Sequence, residues 1–193
     1  MIIMAICAIT TKTSAAEEIK NYKGTPFKKL EIPGTIEAED YDNGGSDIAY
    51  KFKNGKDGNN KQYREDKGVS LNKNGQKTFI GHTSSGDWTN YTVNVMQDGV
   101  YTIETFCVSG SGNGRFFFEL DGEPVCKLQN APDDNWNNLS CSVKTDGIRI
   151  KKGKHILKWY TYGGMNIDKF TFTRTGDLIG NNTKPGGFDY KYP

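Results

Sequence analysis

The residues with the most chemistry to offer are one isolated tryptophan and a pair of spaced carboxylates. Segment 130–138 reads NAPDDNWNN and presents Trp136 among Asp and Asn. A sugar ring has an apolar C–H face that stacks on an indole, and hydroxyls that pair with amides and carboxylates. Trp136 and Asn166, the latter in Gly164-Met165-Asn166, form the natural pair for such a site. The plainer alternatives are an indole folded back on the core and an asparagine serving only the turn after Gly163-Gly164. In Ile36-Glu37-Ala38-Glu39, Glu37 and Glu39 share one face if the segment is a strand, because strand side chains alternate. Two such carboxylates repel unless a cation lies between them. Calcium, a hard ion that prefers oxygen ligands, suits them, with Asp168 as a third donor if the chain ends are neighbours. A solvated acidic face is the alternative.

Catalytic patterns are lacking. Glycoside hydrolysis needs two acids facing each other across a cleft, and no such pair can be chosen among the many Asp and Glu. Only two histidines occur. Of these, His155 in Lys154-His155-Ile156-Leu157 reads as a structural strand residue rather than a base. Ser84-Ser85-Gly86-Asp87 has no nucleophile-elbow pattern, and no glycine-rich phosphate loop is present. Four cysteines, Cys7, Cys107, Cys126 and Cys141, show no C-x-x-C spacing, which argues against zinc. The last three allow either one disulfide with a spare thiol or three buried thiols acting as small hydrophobes.

These candidates must be positioned by strands. Tyr91, Val93 and Val95 alternate with polar neighbours. Segments 100–108 (VYTIETFCV), 115–120 (RFFFEL), 154–162 (KHILKWYTY) and 166–173 (NIDKFTFT) are rich in β-branched and aromatic residues and separated by turn residues. Helical periodicity is absent after residue 30. Gly110 to Gly114 reads as a hairpin turn. The spacing predicts an all-β fold, a β-sandwich built as a jelly roll of two antiparallel sheets. The polar stretches 42–62 and 130–138 are its long loops, where function tends to sit.

Composition narrows the classes. The chain has 193 residues, 25 basic and 23 acidic, for a net charge of +2. That balance leaves no basic stripe for nucleic acid. A hydrophobic share of 35% invites disorder, but 10 Tyr, 10 Phe and 3 Trp argue for a packed core. No run of about twenty apolar residues exists, so no transmembrane helix is expected. Met1 to Ile9 (MIIMAICAI), followed by small polar residues to Ala16, matches a secretory signal without its basic start. The expected division is therefore a partial signal segment at 1–16, a linker at 17–30, a module at 31–175 and a C-terminal tail at 176–193. The alternative for the start is an N-terminal tail. Export implies a secreted or cell-surface protein.

Five stretches, in order, resemble carbohydrate-binding module family 6. They are the run from Ile32 to Gly45 (IPGTIEAEDYDNGG), Gly86 to Val95 (GDWTNYTVNV), Gly99 to Thr102 with Val108-Ser109-Gly110, Asn135 to Asn138 (NWNN), and Gly164 to Phe170 (GMNIDKF). The resemblance covers about residues 31–175. It implies a non-catalytic, calcium-stabilised jelly roll that binds polysaccharide or oligosaccharide chains of xylan or β-glucan type and is joined to, or associated with, a secreted glycoside hydrolase. It implies Trp136 as the stacking residue, Asn166 as the sugar-binding amide, and Glu37, Glu39 and Asp168 as calcium ligands. The second stacking aromatic of the family falls at His82, whose imidazole offers less area. Tyr50 and Tyr63, in the variable early loops, are the residues that could compensate at the cleft. Trp88, at a strand start, is assigned to the core. Two other readings follow from the same residues: a fragment or accessory part of a secreted glycoside hydrolase, and a degenerate module serving as a structural or adhesion domain.

Overall fold

The computed structural model describes residues 19–54, 63–64 and 68–178. The expected signal segment at 1–16 and most of the expected tail lie outside the described residues. The elements in chain order are β1 (Leu30–Ile32), β2 (Gly34–Glu37), a 3-10 turn (Ala38–Asp40), β3 (Tyr50–Lys51), β4 (Leu71–Asn74), β5 (Lys77–Ile80), β6 (Asp87–Val95), β7 (Gly99–Val108), β8 (Arg115–Leu120), β9 (Glu123–Pro124), β10 (Gln129–Asn130), β11 (Ser142–Ile150), β12 (Gly153–Tyr162) and β13 (Asn166–Gly176). No helix among the described residues is long and apolar enough to cross a membrane.

The strands form the expected β-sandwich. One sheet runs β1-β6-β12-β8-β10, with β3 added to β6 and β9 to β8. The other runs β11-β7-β13-β5-β4, with β2 added to β13. Every pairing is antiparallel except that of β1 with β6. The core lies between the sheets and follows the period of two. Tyr91, Val93 and Val95 on β6 and Leu157 and Trp159 on β12 face Tyr101 and Ile103 on β7 and Phe170 and Phe172 on β13, all buried. Phe170 is the hinge of this packing. It meets Tyr91 edge-on at 5.6 Å and Phe118 edge-on at 5.1 Å, both from the opposite sheet.

Three local expectations need correction. Gly110 to Gly114 is not a hairpin turn, because β7 and β8 belong to opposite sheets. It is a crossover, as is the Gly163-Gly164 connection from β12 to β13. Glu37 and Glu39 do not share a strand: β2 ends at Glu37, and Glu39 lies in the 3-10 turn. Residues 17–30, expected as a linker, are docked where they are described. Thr25 and Asn43 exchange two backbone hydrogen bonds of 2.9 and 2.7 Å. Phe27 lies 4.1 Å from the buried Arg64 guanidinium, and the Lys28 ammonium pairs with Asp40 at 2.9 Å.

Candidate functional site

A cleft of about 680 Å³ opens at the end of the sandwich where the two crossovers meet the loop before β11. Its walls include Trp136, Asn166, His82, Asn54, Asn72 and Lys73, with Phe79 and Met165 beneath. Among the described residues, no Asp or Glu lines it.

Trp136 is 40% exposed, unusual for an indole in a folded chain. Its support is glycine. A Cβ placed on Gly110 would come within 2.4 Å of the indole Nε1 and 2.5 Å of Cδ1, and one on Gly164 within 3.3 Å of Cη2. The ring therefore rests on bare backbone from both crossovers. The loop that carries it is held by its own polar side chains. Asn135 Oδ1 accepts from the Asn137 amide (2.9 Å), and Asp134 Oδ2 accepts from Asn138 Nδ2 (2.8 Å). Leu139 then anchors the loop by packing with Phe79 and Val108.

Asn166 lies at the start of β13 and donates from Nδ2 to the Trp136 carbonyl at 2.8 Å. One amide thus fixes the loop while the same residue stays on the cleft wall. His82 is exposed on the cleft wall and holds a φ of 53°. That left-handed backbone costs a non-glycine residue about 1 kcal/mol or more, and such strain gathers at functional sites. Beside it, the buried Thr83 hydroxyl accepts from the Met165 amide (2.9 Å) and points at the Gly163 and Met165 carbonyls (both 3.1 Å). Asp87, fully buried, accepts from the Lys53 amide (2.9 Å) and the Ser84 amide (2.7 Å), so the loop bearing Asn54 is tied to the loop bearing His82.

The structure thus brings Trp136, Asn166 and His82 together and does not bring Tyr50 or Tyr63 to them. Tyr50 is buried in the core, edge-on to Tyr41 at 5.5 Å, because β3 pairs with β6 and turns the ring inward. Tyr63 is half-buried beside the docked N-terminal segment. Its hydroxyl donates to Asp40 Oδ1 at 2.5 Å and accepts from Lys28 Nζ at 2.6 Å. Asn54, Asn72, Lys73 and Phe79 are wall residues that the sequence reading missed. For Asn54, Asn72 and Lys73 the only signal was polarity at strand ends and in loops, and Phe79 reads simply as an apolar strand residue.

Trp88 also departs from expectation. It alternates with the inward-facing Thr89 and Tyr91, so it lies half-exposed on the outer face of the seven-stranded sheet rather than in the core. There it approaches Tyr160 at 6.4 Å. Tyr160 stacks flat on Phe117 at 5.0 Å, and Tyr162 follows at 6.2 Å. The Lys158 ammonium stands 4.8 Å from the indole centroid.

The carboxylate group sits near the same end of β13 as Asn166, around Asp168 and the Lys169–Glu37 pairing. Asp168 is the extra residue in a bulge, since Ile167 faces Cys107 and Lys169 faces Phe106 on β7. The bulge turns it inward, where it is buried and paired with the Lys77 ammonium at 2.9 Å. Glu39 is buried, and its Oε2 has no hydrogen-bond partner. Burial pushes its carboxyl up to about 8, and the charges of Glu37, Asp40 and Asp168 add to the shift. That orphaned oxygen among carboxylates has the chemistry of a cation site. As placed, however, no three His, Cys, Asp or Glu side chains among the described residues converge to hold an ion.

A two-sheet sandwich with an amide-walled loop cleft falls in the class of ligand-binding β-sandwich modules. The chain belongs to carbohydrate-binding module family 6: the family pattern, carbohydrate binding module (family 6), matches residues 60–174. No curated protein matches the chain. Solved structures share the fold. The C-terminal family 6 module of a marine laminarinase from Zobellia galactanivorans is 23% identical, with a TM-score of 0.51 over 72% of this chain and 98% of that one. A family 6 module of a Cellvibrio mixtus lichenase, in complex with cellotriose, is 21% identical, with a TM-score of 0.52 over 75% and 98%. A β-1,3-glucan-binding module from Bacillus halodurans is 19% identical, with a TM-score of 0.53 over 77% and 100%.

Proposed function

We propose that this chain binds polysaccharide of xylan or β-glucan type in the loop cleft, by stacking and hydrogen bonding without bond cleavage. The carrying observation is Trp136, held 40% exposed on the backbone of Gly110 and Gly164 and walled by amides. The indole takes the apolar face of a sugar ring. Asn137 offers donors and an acceptor to its hydroxyls, Asn54, Asn72 and Asn166 offer what their bonds to Ser84, Ser70 and the Trp136 carbonyl leave, and His82 adds its ring to the wall. An aromatic stack contributes about 0.5–1.5 kcal/mol beyond area burial, so a site with one indole is weak by itself and gains from a repeating ligand. The similar modules of a laminarinase and a lichenase support a role beside a secreted or cell-surface glycoside hydrolase. In a pull-down on insoluble xylan and β-glucan, Trp136→Ala is expected to abolish retention. Retention at the wild-type level would overturn the cleft assignment. Release of reducing sugar by the wild-type chain would favour the hydrolase reading instead.

Structural calcium at Glu37, Glu39 and Asp168 is part of the same proposal. The donors are all oxygens and Glu39 Oε2 lacks a partner, which fits a hard cation. Lys77 already supplies one positive charge to Asp168, so an ion must compete with it. Calcium is expected to raise the melting temperature by a few degrees and a chelator to reverse this, with a larger response in Lys77→Ala. A melt insensitive to calcium in both proteins would remove the ion from the proposal.

A further inference from the structure

Two of the three described cysteines stand on facing strands. β11 and β7 pair with Ser142 opposite Phe106 and Val143 opposite Thr105. One step further in the same register sets Cys141 opposite Cys107. The Cys107 amide donates to the Cys141 carbonyl at 3.1 Å, so the ladder reaches this pair and ends there, where the Cys141 amide donates to the Asn138 carbonyl at 3.3 Å. Facing residues on antiparallel strands point to the same side, with Cα atoms about 5.5 Å apart at a hydrogen-bonded pair. A disulfide spans Cα separations of about 4.4–6.8 Å. The shared side is the inner one. Cys107 is fully buried, in step with Ile103 and Thr105, and Val143 packs on the same core. Cys141 is half-exposed at the rim, its thiol 3.5 Å from Asp134 Oδ2. Burial pushes the Cys107 thiol up to about 12, and the nearness of Cys141 adds to that shift. Cys126 is elsewhere, buried on the other sheet's side where it accepts from the Phe118 amide at 3.3 Å.

We propose that Cys107 and Cys141 are a disulfide-forming pair, a covalent strut between β7 and the foot of the Trp136 loop. The oxidant is a small-molecule disulfide, such as glutathione disulfide. The Cys141 thiolate, which solvent reaches, attacks one sulfur of the oxidant. That S–S bond breaks, and the first glutathione leaves as a thiolate and takes up the proton that Cys141 lost. The Cys107 thiolate then attacks the Cys141 sulfur of the mixed disulfide and expels the second glutathione, which takes the Cys107 proton. Two protein thiols are oxidised and one disulfide is reduced to two thiols. The strut closes a ring that contains the β7–β8 crossover, with Gly110, and the whole Trp136 loop. It fixes the cleft's indole against its support and does not depend on what the cleft binds.

The test uses the full chain, reduced and then equilibrated with a glutathione disulfide buffer. The expected result is a mass loss of about 2 Da per strut and a non-reduced peptide map joining the Cys107 and Cys141 peptides. The map is unchanged in Cys126→Ser and the link is absent in Cys141→Ser. The oxidised chain should melt about 5–10 °C above the reduced one, a difference missing in Cys141→Ser. Full alkylation of both thiols after oxidation, recovery of Cys141 only as its glutathione adduct, or linkage of either residue to another cysteine would each overturn the pair.

Discussion

At Gly110 the space that a side chain would fill is taken by the Trp136 ring. A methyl group there would sit 2.4 Å from the indole Nε1, too close for any real contact, and Gly164 leaves the ring little room to slide away. Gly110 therefore matters through proximity alone. Gly110→Ala should lift the indole off its support and turn it out of the cleft. The expected outcome is at least about a tenfold loss of affinity, in keeping with the loss of an aromatic anchor that the ligand covers, with a melting temperature close to that of the wild type because the methyl group enters a surface site. Titration of a soluble oligosaccharide followed by indole fluorescence measures both the loss and the ring's changed environment. Wild-type affinity in Gly110→Ala would mean that the ring's seat on the backbone does not set the site.

At the scale of elements, the two crossovers are tied to each other by the Ser109 hydroxyl and by the Gly164 amide, which donates to Asn113 Oδ1 at 3.3 Å. Ser109, fully buried, donates from Oγ to the Gly164 carbonyl at 2.7 Å and accepts from the Gly114 amide at 3.0 Å. Ser109→Ala leaves the buried Gly114 amide and the part-buried Gly164 carbonyl without that partner, at a cost of about 1–3 kcal/mol. Urea unfolding should register it, and sugar affinity should fall with it because the glycines beneath Trp136 belong to these crossovers. This link was not legible in the sequence, although the strands it joins were. Segments 100–108, 115–120 and 154–162 announce their strands by composition and match β7, β8 and β12 closely. Which sheet each strand enters is a non-local matter, so Gly110 to Gly114 looked like a hairpin and proved to be a crossover. The same limit governs the site. Trp136, Asn166 and His82 stand out as residues in loops or at strand ends, and they meet in space. Tyr50 looked like a loop aromatic because β3 is only two residues long, too short for a visible alternation, and pairing with β6 carries the ring into the core. Trp88 shows the reverse, since its place in the alternation of β6 was set by its neighbours and not by its own apolar character.

For the whole molecule, the clearest pH dependence comes from a histidine remote from the cleft. His155 on β12 has Asp121 Oδ2 at 2.6 Å from Nδ1 and the Lys151 carbonyl at 2.8 Å from Nε2. Both neighbours are acceptors, so both ring nitrogens donate only when the ring is protonated. Burial draws its pKa down, but Asp121 and the Lys151 carbonyl outweigh burial and the net shift is upward. Asp121 is itself pinned, accepting from the Ile156 amide at 2.8 Å. A histidine whose pKa is raised on folding adds stability that is fully present below its unfolded value of about 6.5, and that is lost as pH rises through the folded value. In calcium-free buffer the buried Glu39 carboxyl, raised to about 8, acts in the same direction, because the unfolded chain gives up that proton earlier than the folded one. The wild-type free energy of unfolding should therefore decline as pH is raised from about 6 towards 9. His155→Gln removes the histidine's share and leaves that of Glu39, so the wild-type curve should fall more steeply than the variant's above about pH 6.5. Denaturant unfolding of both proteins across this range makes the comparison. Parallel curves would show that His155 stays neutral in the folded chain and that only one of its two contacts is a hydrogen bond.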